Sequence, residues 1–358
     1  MQLLEYFYDR NNEINTYHQR KFTIEFDSRL LIYGAPASGK SSLVLDYLMD
    51  FETEDFLYID FRDPKLWFQD MMEEDIEGFV DANEINLLIL DHYEAGYFEQ
   101  LPNVAKLIIL SDRFYPYPEF EALQLPLLDY EEFFSFQRRG SEKQIFNLFL
   151  RQGTLPQLAI DTAPKEQLFQ NFIHAHFSPS EQRLLAILAH FNGSVITTFQ
   201  LYSYAKERYK ISKDLIYRQI RDFQERGIIY FINDIRHNKS KKLLFFDFAL
   251  AKYLTLTQSF PKQFDTMVAL SLRKHNIEFQ AFGITGYLTK EQQLMIPAPF
   301  ESEESIWKRT HTRFGEYKKA DVQKVYIITV TARFEFTIEE IKFEALPFYE
   351  WVVIYDGK

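Results

Sequence analysis

The sequence predicts an α/β protein that opens with a mostly parallel, helix-covered sheet and closes with a second, smaller α/β unit. Three observations carry this. Between residues 29 and 128, short apolar runs alternate with amphipathic segments, the pattern of strands buried on both faces and joined by helical crossovers. From 129 to 250 the periodicity becomes helical, then ends in two apolar runs around a polar turn. From 251 to 358 helix and strand patterns alternate again. With 358 residues, 46% hydrophobic and 26% charged, the chain suits two or three domains with buried cores.

In order, "RLLIYG" reads as a strand and "SSLVLDYLMDF" as a helix, with Leu43, Leu45, Tyr47 and Leu48 at helical spacing. "FLYIDF" is a strand, and an acidic helical stretch around "LWFQDMMEEDIEGFVD" leads to the strand "INLLILD". "AKLIILSD" and "EALQLPLLD" complete the sheet. Residues 129–177 read as the helices "YEEFFSFQRR", "EKQIFNLFLRQG" and "KEQLFQNFIHAHF", broken at "GTLPQ". "SPSEQ" has the form of a helix start and marks a boundary at 178.

Beyond it come "SEQRLLAILAHFNG", closed by Gly193, then "TTFQLYSYAKERY", then "SKDLIYRQIRDFQERG", opened by Ser212 and closed by Gly227. "IIYFIND", the turn "IRHNKSKK" and "KLLFFDF" form a hairpin, and three helices followed by a hairpin is the order of a winged helix. The last segment holds a helix at "FDTMVALSLRKHN", strands at "EFQAFG", "QQLMIPAPF", "KVYIITV" and "FYEWVVIYD", and a short helix at "TIEEIKFEA".

The most specific signal is "GAPASGKSS", which fits G-x-x-x-x-G-K-[ST] with Gly34, Gly39, Lys40 and Ser41 in the fixed positions. Ala35, Pro36, Ala37 and Ser38 fill the loop and Ser42 follows it. Gly34 lets the strand turn sharply, and Gly39 lets backbone approach a phosphate. Successive N–H groups then face the phosphate at the positive end of the next helix. Lys40 is expected to reach the β- and γ-phosphates of ATP and Ser41 to offer its hydroxyl to Mg²⁺.

Asp91 ends an apolar strand about fifty residues later, where the acid that orients Mg²⁺ through water belongs. In many nucleotide hydrolases that Asp is followed by Glu; here His92 follows. A neutral imidazole can accept a proton or orient water near pH 7, but it lacks the carboxylate's fixed charge. Slow hydrolysis is therefore expected, with Asp60, Glu94 or Asp112 as carboxylates that could compensate. Ser111, ending "LIILSD", is the candidate sensor of the γ-phosphate, although an ordinary strand end has the same pattern.

Net charge is −12, which argues against nucleic-acid binding over the whole surface. Residues 178–250 nevertheless hold twelve Lys and Arg against seven Asp and Glu, a net of +5. Such an island suits local phosphate contact with double-stranded DNA. The third helix offers Lys213, Arg218 and Arg221, and the hairpin offers Arg236, Lys239, Lys241 and Lys242. The same module could instead contact a protein or serve as a regulatory lid.

In the last segment a nuclease of the restriction-endonuclease type would need an Asp followed by Glu-x-Lys on an adjacent strand. Thr329 and Thr331 stand where the Glu and Lys would be, so that chemistry is not expected. The absence of Cys excludes thiolate zinc sites and Cys nucleophiles. The first 21 residues do not read as a signal peptide and no apolar run reaches the ~18 residues of a membrane span. A cytoplasmic location without membrane contact is the expectation.

Taken together, "GAPASGKSS", "FLYIDFRDPKL", "LLILDHYE", "LIILSD", "LPLLDYEEFFSF", "FLRQGTLPQLA" and "KKLLFFDFAL" give a chain that resembles the prokaryotic AAA-type ATP-binding proteins related to the archaeal ATPase family of the STAND NTPases. The resemblance implies a P-loop ATPase core at 1–128, a helical lid at 129–177 and a winged helix at 178–250. It implies a degenerate, inactive nuclease-like α/β domain at 251–358. It also implies Gly34 to Ser42 and Asp91 as the nucleotide and Mg²⁺ site. The family carries Asp-Glu where this chain has Asp91 and His92. The expected function is an ATP-binding protein and weak ATPase whose nucleotide state couples to DNA or partner binding, with a protein partner or a second copy of the chain as further partners. An active ATPase motor or loader, and a scaffold with a vestigial P-loop, are the alternatives.

Overall fold

The apolar runs between residues 29 and 128 form five parallel strands: β1 (Arg29–Tyr33), β2 (Phe56–Asp60), β3 (Leu87–Asp91), β4 (Leu107–Ser111) and β5 (Glu121–Gln124). Their order across the sheet is β2-β3-β4-β1-β5. The computed structural model describes residues 2–10, 18–68, 71–137, 139–161, 163–284 and 286–356, apart from the side chains of 237–239, 355 and 356. It divides into two compact units, 1–127 with 225–227, and 128–224 with 228–358.

In the first unit, alternate strand residues serve opposite faces, as the pleat requires. Leu31, Ile59, Leu90 and Ile109 pack with α1 (Gln2–Asp9) through Leu4 and Phe7, and with α3 (Glu73–Ala82) through Ile76, Phe79 and Val80. Ile32, Tyr58, Ile89 and Ile108 pack on the other face against Leu43 and Val44 of α2 (Lys40–Tyr47). β3 and β4 are buried along their whole length, which explains why they read as unbroken apolar runs. Because all five strands point the same way, Gly34, Asp60, Asp91 and Ser111 gather at the carboxyl edge of the sheet, where open α/β sheets bind ligands.

The second unit begins with α4 (Tyr130–Phe136), α5 (Glu142–Gln152), α6 (Pro156–Ile160), α7 (Lys165–His176), α8 (Pro179–His190), the short strand β6 (Val195–Ile196), α9 (Thr198–Lys206) and α10 (Lys213–Glu225). Capping boxes at Asp129, Ser141, Ser178 and Thr197 start four of these helices and satisfy their first N–H groups. β7 (Ile229–Asp234) and β8 (His237–Phe245) form the expected hairpin, with β6 added to β8.

α11 (Leu250–Leu254), α12 (Phe260–Lys274), β9 (Phe279–Ala281), β10 (Tyr287–Thr289), β11 (Gln293–Pro297), α13 (Glu303–Lys319), β12 (Lys324–Thr329), β13 (Phe334–Ile338), β14 (Ile341–Pro347) and α14 (Phe348–Asp356) complete the chain. The strands of this unit form one sheet of order β13-β14-β12-β11-β10-β9-β7-β8-β6, joined between β7 and β9 by the single bridge Asp234–Ala281. The helices after residue 128 are anchored to it by Lys274 of α12, paired with Asp129 and Glu132. Tyr130, Phe146, Phe149, Phe248 and Phe348 add an aromatic cluster.

Three local expectations are corrected here. "TIEEIKFEA" is the end of the first strand, the turn and most of the second strand of a hairpin, with Glu339 at φ +51° and Ile338 opposite Ile341. The alternation of Phe334, Phe336 and Ile338 with polar residues in β13 has period two. "FYEWVVIYD" is a helix rather than a strand: Phe348, Trp351 and Val352 bury one face at i, i+3 and i+4, overriding the β-propensity of its aromatic and β-branched residues. α13 was not anticipated, because its apolar face is thin, resting on Ile306, Phe314 and Tyr317. Among the described residues no helix is long and apolar enough to cross a membrane.

Candidate nucleotide site

The loop between β1 and α2 is shaped by backbone that side chains would block. A Cβ on Gly34 would lie 2.2 Å from the Leu125 carbonyl oxygen, so only glycine passes there. Ala37 and Gly39 take left-handed conformations, φ +57° and +94°, and Gly39 caps the start of α2. Arg20, 7% exposed, donates to the Ser38 carbonyl at 2.7 Å and to the Pro126 carbonyl at 2.9 Å, bracing the loop from below.

Lys40 folds over this loop. Its Nζ donates to the carbonyls of Gly34 at 2.9 Å and Ala35 at 3.0 Å, and to Asp112 Oδ1 at 2.9 Å. Burial alone would raise the Asp112 carboxyl, but the adjacent Lys40 ammonium holds it below its ordinary range.

Asp91 lies at the end of β3, 2% exposed. Its Oδ2 accepts from the Tyr58 hydroxyl at 2.6 Å and its Oδ1 from the His92 backbone N–H at 2.7 Å. Burial, followed by the Asp91 charge, pushes the Tyr58 phenol well above its ordinary value. The register of β2 on β3 sets Asp60 directly beside Asp91. His92 turns at φ +55°, which brings its Nδ1 within 2.8 Å of Asp60 Oδ1 and 3.5 Å of Asp91 Oδ2. Burial disfavours the Asp60 charge, yet the His92 bond and the Arg62 N–H keep its carboxyl below the usual value. Ligating atoms of Asp60, Asp91 and His92 all lie within 4.8 Å of one another.

The fold thus brings Gly34 to Ser42, Asp91, His92, Ser111, Asp60 and Asp112 to one sheet edge. Glu94 is exposed past the turn and is not part of the Asp60–Asp91–His92 cluster. Ser111 is buried; its carbonyl accepts from Gly34 N–H at 3.3 Å and its hydroxyl from Arg113 N–H at 3.2 Å, so the hydroxyl caps a turn. Sequence reasoning missed Tyr58 and Arg20. Neither has a local signature: Tyr58 is one more apolar position of a buried strand until the fold sets its hydroxyl against Asp91.

Of the basic residues named for DNA, Lys213, Arg218 and Arg221 are exposed on α10 and Lys241 on β8, while the Lys239 side chain lies outside the described residues. Lys242 is corrected: it is 1% exposed, bonded to Asp265 at 2.7 Å and set over the Tyr287 ring at 4.3 Å. In β8 it is paired with Val195 of β6 on one side and Ile232 of β7 on the other, in the middle of three strands. Arg236 is also committed within the unit, to Glu316 at 3.2 Å, to the Phe282 carbonyl at 3.1 Å and to the Phe282 ring.

A parallel sheet whose first strand runs through Gly-x-x-x-x-Gly-Lys-Ser into a helix gives the first unit the architecture of a P-loop nucleotide-binding domain. No protein-family model matches the chain, and no curated protein matches it in sequence. Among solved structures it is similar to the Walker-type ATPase PABY2304 of Pyrococcus abyssi, at 14% identity and a TM-score of 0.43, covering 63% of this chain and 90% of that one. It is similar to the Aeropyrum pernix ORC1 protein in complex with DNA at 12% identity and TM-score 0.31, covering 64% and 87%. Drosophila ORC bound to AT-rich DNA and Cdc6 follows at 10% and 0.20, covering 63% and 84%.

Proposed function

We propose that the first unit binds ATP with Mg²⁺, and that its nucleotide state governs contact of the α8–β8 module with DNA or a protein partner. One observation carries the nucleotide reading: Lys40, 7% exposed, is poised over a left-handed loop at the start of α2, with the loop N–H groups and helix dipole behind it. An anion of phosphate size meets a fixed charge and backbone donors there. The oxygen donors Ser41, Asp91 and Asp60 suit a hard cation, which would neutralise charge on the β- and γ-phosphates.

Turnover is expected to be slow. The position after Asp91 carries an imidazole engaged with Asp60 rather than a free carboxylate. Magnesium-dependent hydrolysis above ~0.1 s⁻¹, still far below ordinary enzyme turnover, would point instead to an active ATPase motor. The direct test is the melting temperature with and without ATP: ligand at about 100 times its Kd stabilises by roughly 2.7 kcal/mol. A rise that disappears in Lys40→Ala supports the reading; no rise in the wild type leaves a scaffold with a vestigial loop.

In the second unit, the same proposal reads α4–α7 as a lid, α8–β8 as a winged helix and the remainder as a nuclease-like fold without nuclease chemistry. Exposed Lys213, Arg218, Arg221 and Lys241 support DNA contact by that helix and hairpin. In β12, the Thr329 hydroxyl donates to the Ala332 carbonyl at 2.7 Å, a structural bond at the place where a nuclease would carry a metal-binding carboxylate.

A further inference from the structure

We propose that Arg62 binds the terminal phosphate: its guanidinium reaches over the end of β3 and, with Lys40, holds the γ-phosphate of a bound nucleoside triphosphate, so that the site tells a triphosphate from a diphosphate. The inference rests on the nucleotide reading above and names the residue that reads the length of the phosphate chain.

β2 and β4 flank β3 in the sheet. Arg62 follows β2 by two residues and Asp112 follows β4 by one, yet Arg62 Nη2 lies 3.9 Å from Asp112 Oδ2. Strands two apart in a sheet are separated by roughly 9–10 Å. The Arg62 side chain therefore reaches over the end of β3, where Asp91 and His92 stand. The turn that launches it is tied down on both sides. Phe61 N–H donates to the Asp91 carbonyl at 3.0 Å, and Asp60 Oδ1 accepts from Arg62 N–H at 2.9 Å. Asp63, buried, accepts from the Tyr6 hydroxyl and from Arg10, each at 3.1 Å.

One carboxylate thus gathers two cations: Asp112 Oδ1 takes Lys40 Nζ at 2.9 Å, and Oδ2 faces Arg62. At 3.9 Å the second contact is attraction between charges rather than a hydrogen bond. A γ-phosphate that meets Lys40 brings more negative charge to the same two cations, and the planar fork of a guanidinium suits its oxygens. The β-phosphate belongs deeper, against the loop N–H groups. With a diphosphate, Arg62 keeps its place beside Asp112 and adds nothing to the ligand. Its side chain is 45% exposed, so it can turn towards a phosphate without disturbing the core.

The test is calorimetry in MgCl₂ with the non-hydrolysable β,γ-imido analogue of ATP and with ADP, for the wild type, Arg62→Gln and Arg62→Lys. Arg62→Gln should weaken binding of the analogue by at least about tenfold, the lower end for a hydrogen bond to a charged group, and leave ADP binding within about twofold. Arg62→Lys keeps the charge but not the fork and should fall between the other two. An equal loss for both nucleotides is what a role in shaping the turn alone would give. That result overturns the proposal while leaving nucleotide binding intact, and so does an Arg62→Gln variant that binds the analogue as the wild type does. No binding of either nucleotide by the wild type overturns both readings. Should Arg62→Gln melt below the assay temperature, Arg62→Lys against the wild type carries the same test: a loss confined to the analogue supports the proposal, and an equal loss or none overturns it.

Discussion

Lys40 Nζ and Asp112 Oδ1 lie 2.9 Å apart, at side-chain exposures of 7% and 19%. Asp112 follows β4 by one residue, so the strand that neighbours β1 supplies a counter-charge to the phosphate-loop lysine. A phosphate bound at this loop, as proposed, would share Lys40 with that carboxylate. Asp112→Asn should therefore tighten ATP binding by about three- to tenfold, the scale of one ordinary hydrogen bond. Calorimetry checks it; unchanged or weaker binding would show that Asp112 aids the site rather than competes with the ligand.

The same pair gives a pH dependence with a definite sign. The Asp112 carboxyl is held below its ordinary value of 3.8, so its contribution to stability is present above that value. It is lost as pH falls through the lowered, folded-state value. Wild type should be more stable than Asp112→Asn at pH 7, and the gap should narrow below about pH 4. Chemical denaturation at pH 7, 4 and 3 measures it; a gap that widens in acid contradicts the assignment.

His92→Glu would restore the carboxylate that nucleotide hydrolases carry, but here it would stand beside Asp60, now 2.8 Å from the imidazole, and Asp91. Three carboxylates at that edge should cost about 1–3 kcal/mol at partial exposure. Mg²⁺ should return part of the loss. Melting in EDTA and in MgCl₂ decides it, and a variant as stable as wild type in EDTA would refute the crowding.

The basic surface of the second unit separates two kinds of lysine and arginine. Reversing Arg218, Arg221 and Lys241 to Glu should weaken DNA binding and flatten its salt dependence by about one unit for each phosphate no longer neutralised. Fluorescence anisotropy at several salt concentrations is the measurement. Lys242→Ala should instead destabilise the unit by about 3–5 kcal/mol, because Asp265 would keep a charge without its buried partner. A fall in DNA affinity with Lys242→Ala and no fall in stability would reverse that distinction.

Much of this molecule is written locally. Strands β1 to β4 are legible because strands buried on both faces must be largely apolar, and the loop after β1 because Gly34 and Gly39 stand where the backbone needs them; the edge strand β5 is exposed. Ser178 and Thr197 announce helix starts through capping residues three positions apart. The order of three helices and a hairpin needs no more than their periodicity. Where the sequence misled, two local forces competed: aromatic and β-branched residues in 348–356 favour a strand, and burial of Phe348, Trp351 and Val352 on one face makes a helix.

The partnerships at the sheet edge were not available from the sequence in the same way. That Asp60 stands beside Asp91, and that the Tyr58 hydroxyl reaches Asp91, depends on the register of β2 on β3. Lys242 looked like one of a basic run until strand pairing turned it inward onto Asp265. Sequence by itself determined most of the strands and helices before residue 300 and where a phosphate could be cradled, since those follow from neighbours along the chain. Tertiary structure alone decided which charges face each other and which face water, because that is set by register and packing between segments distant in sequence.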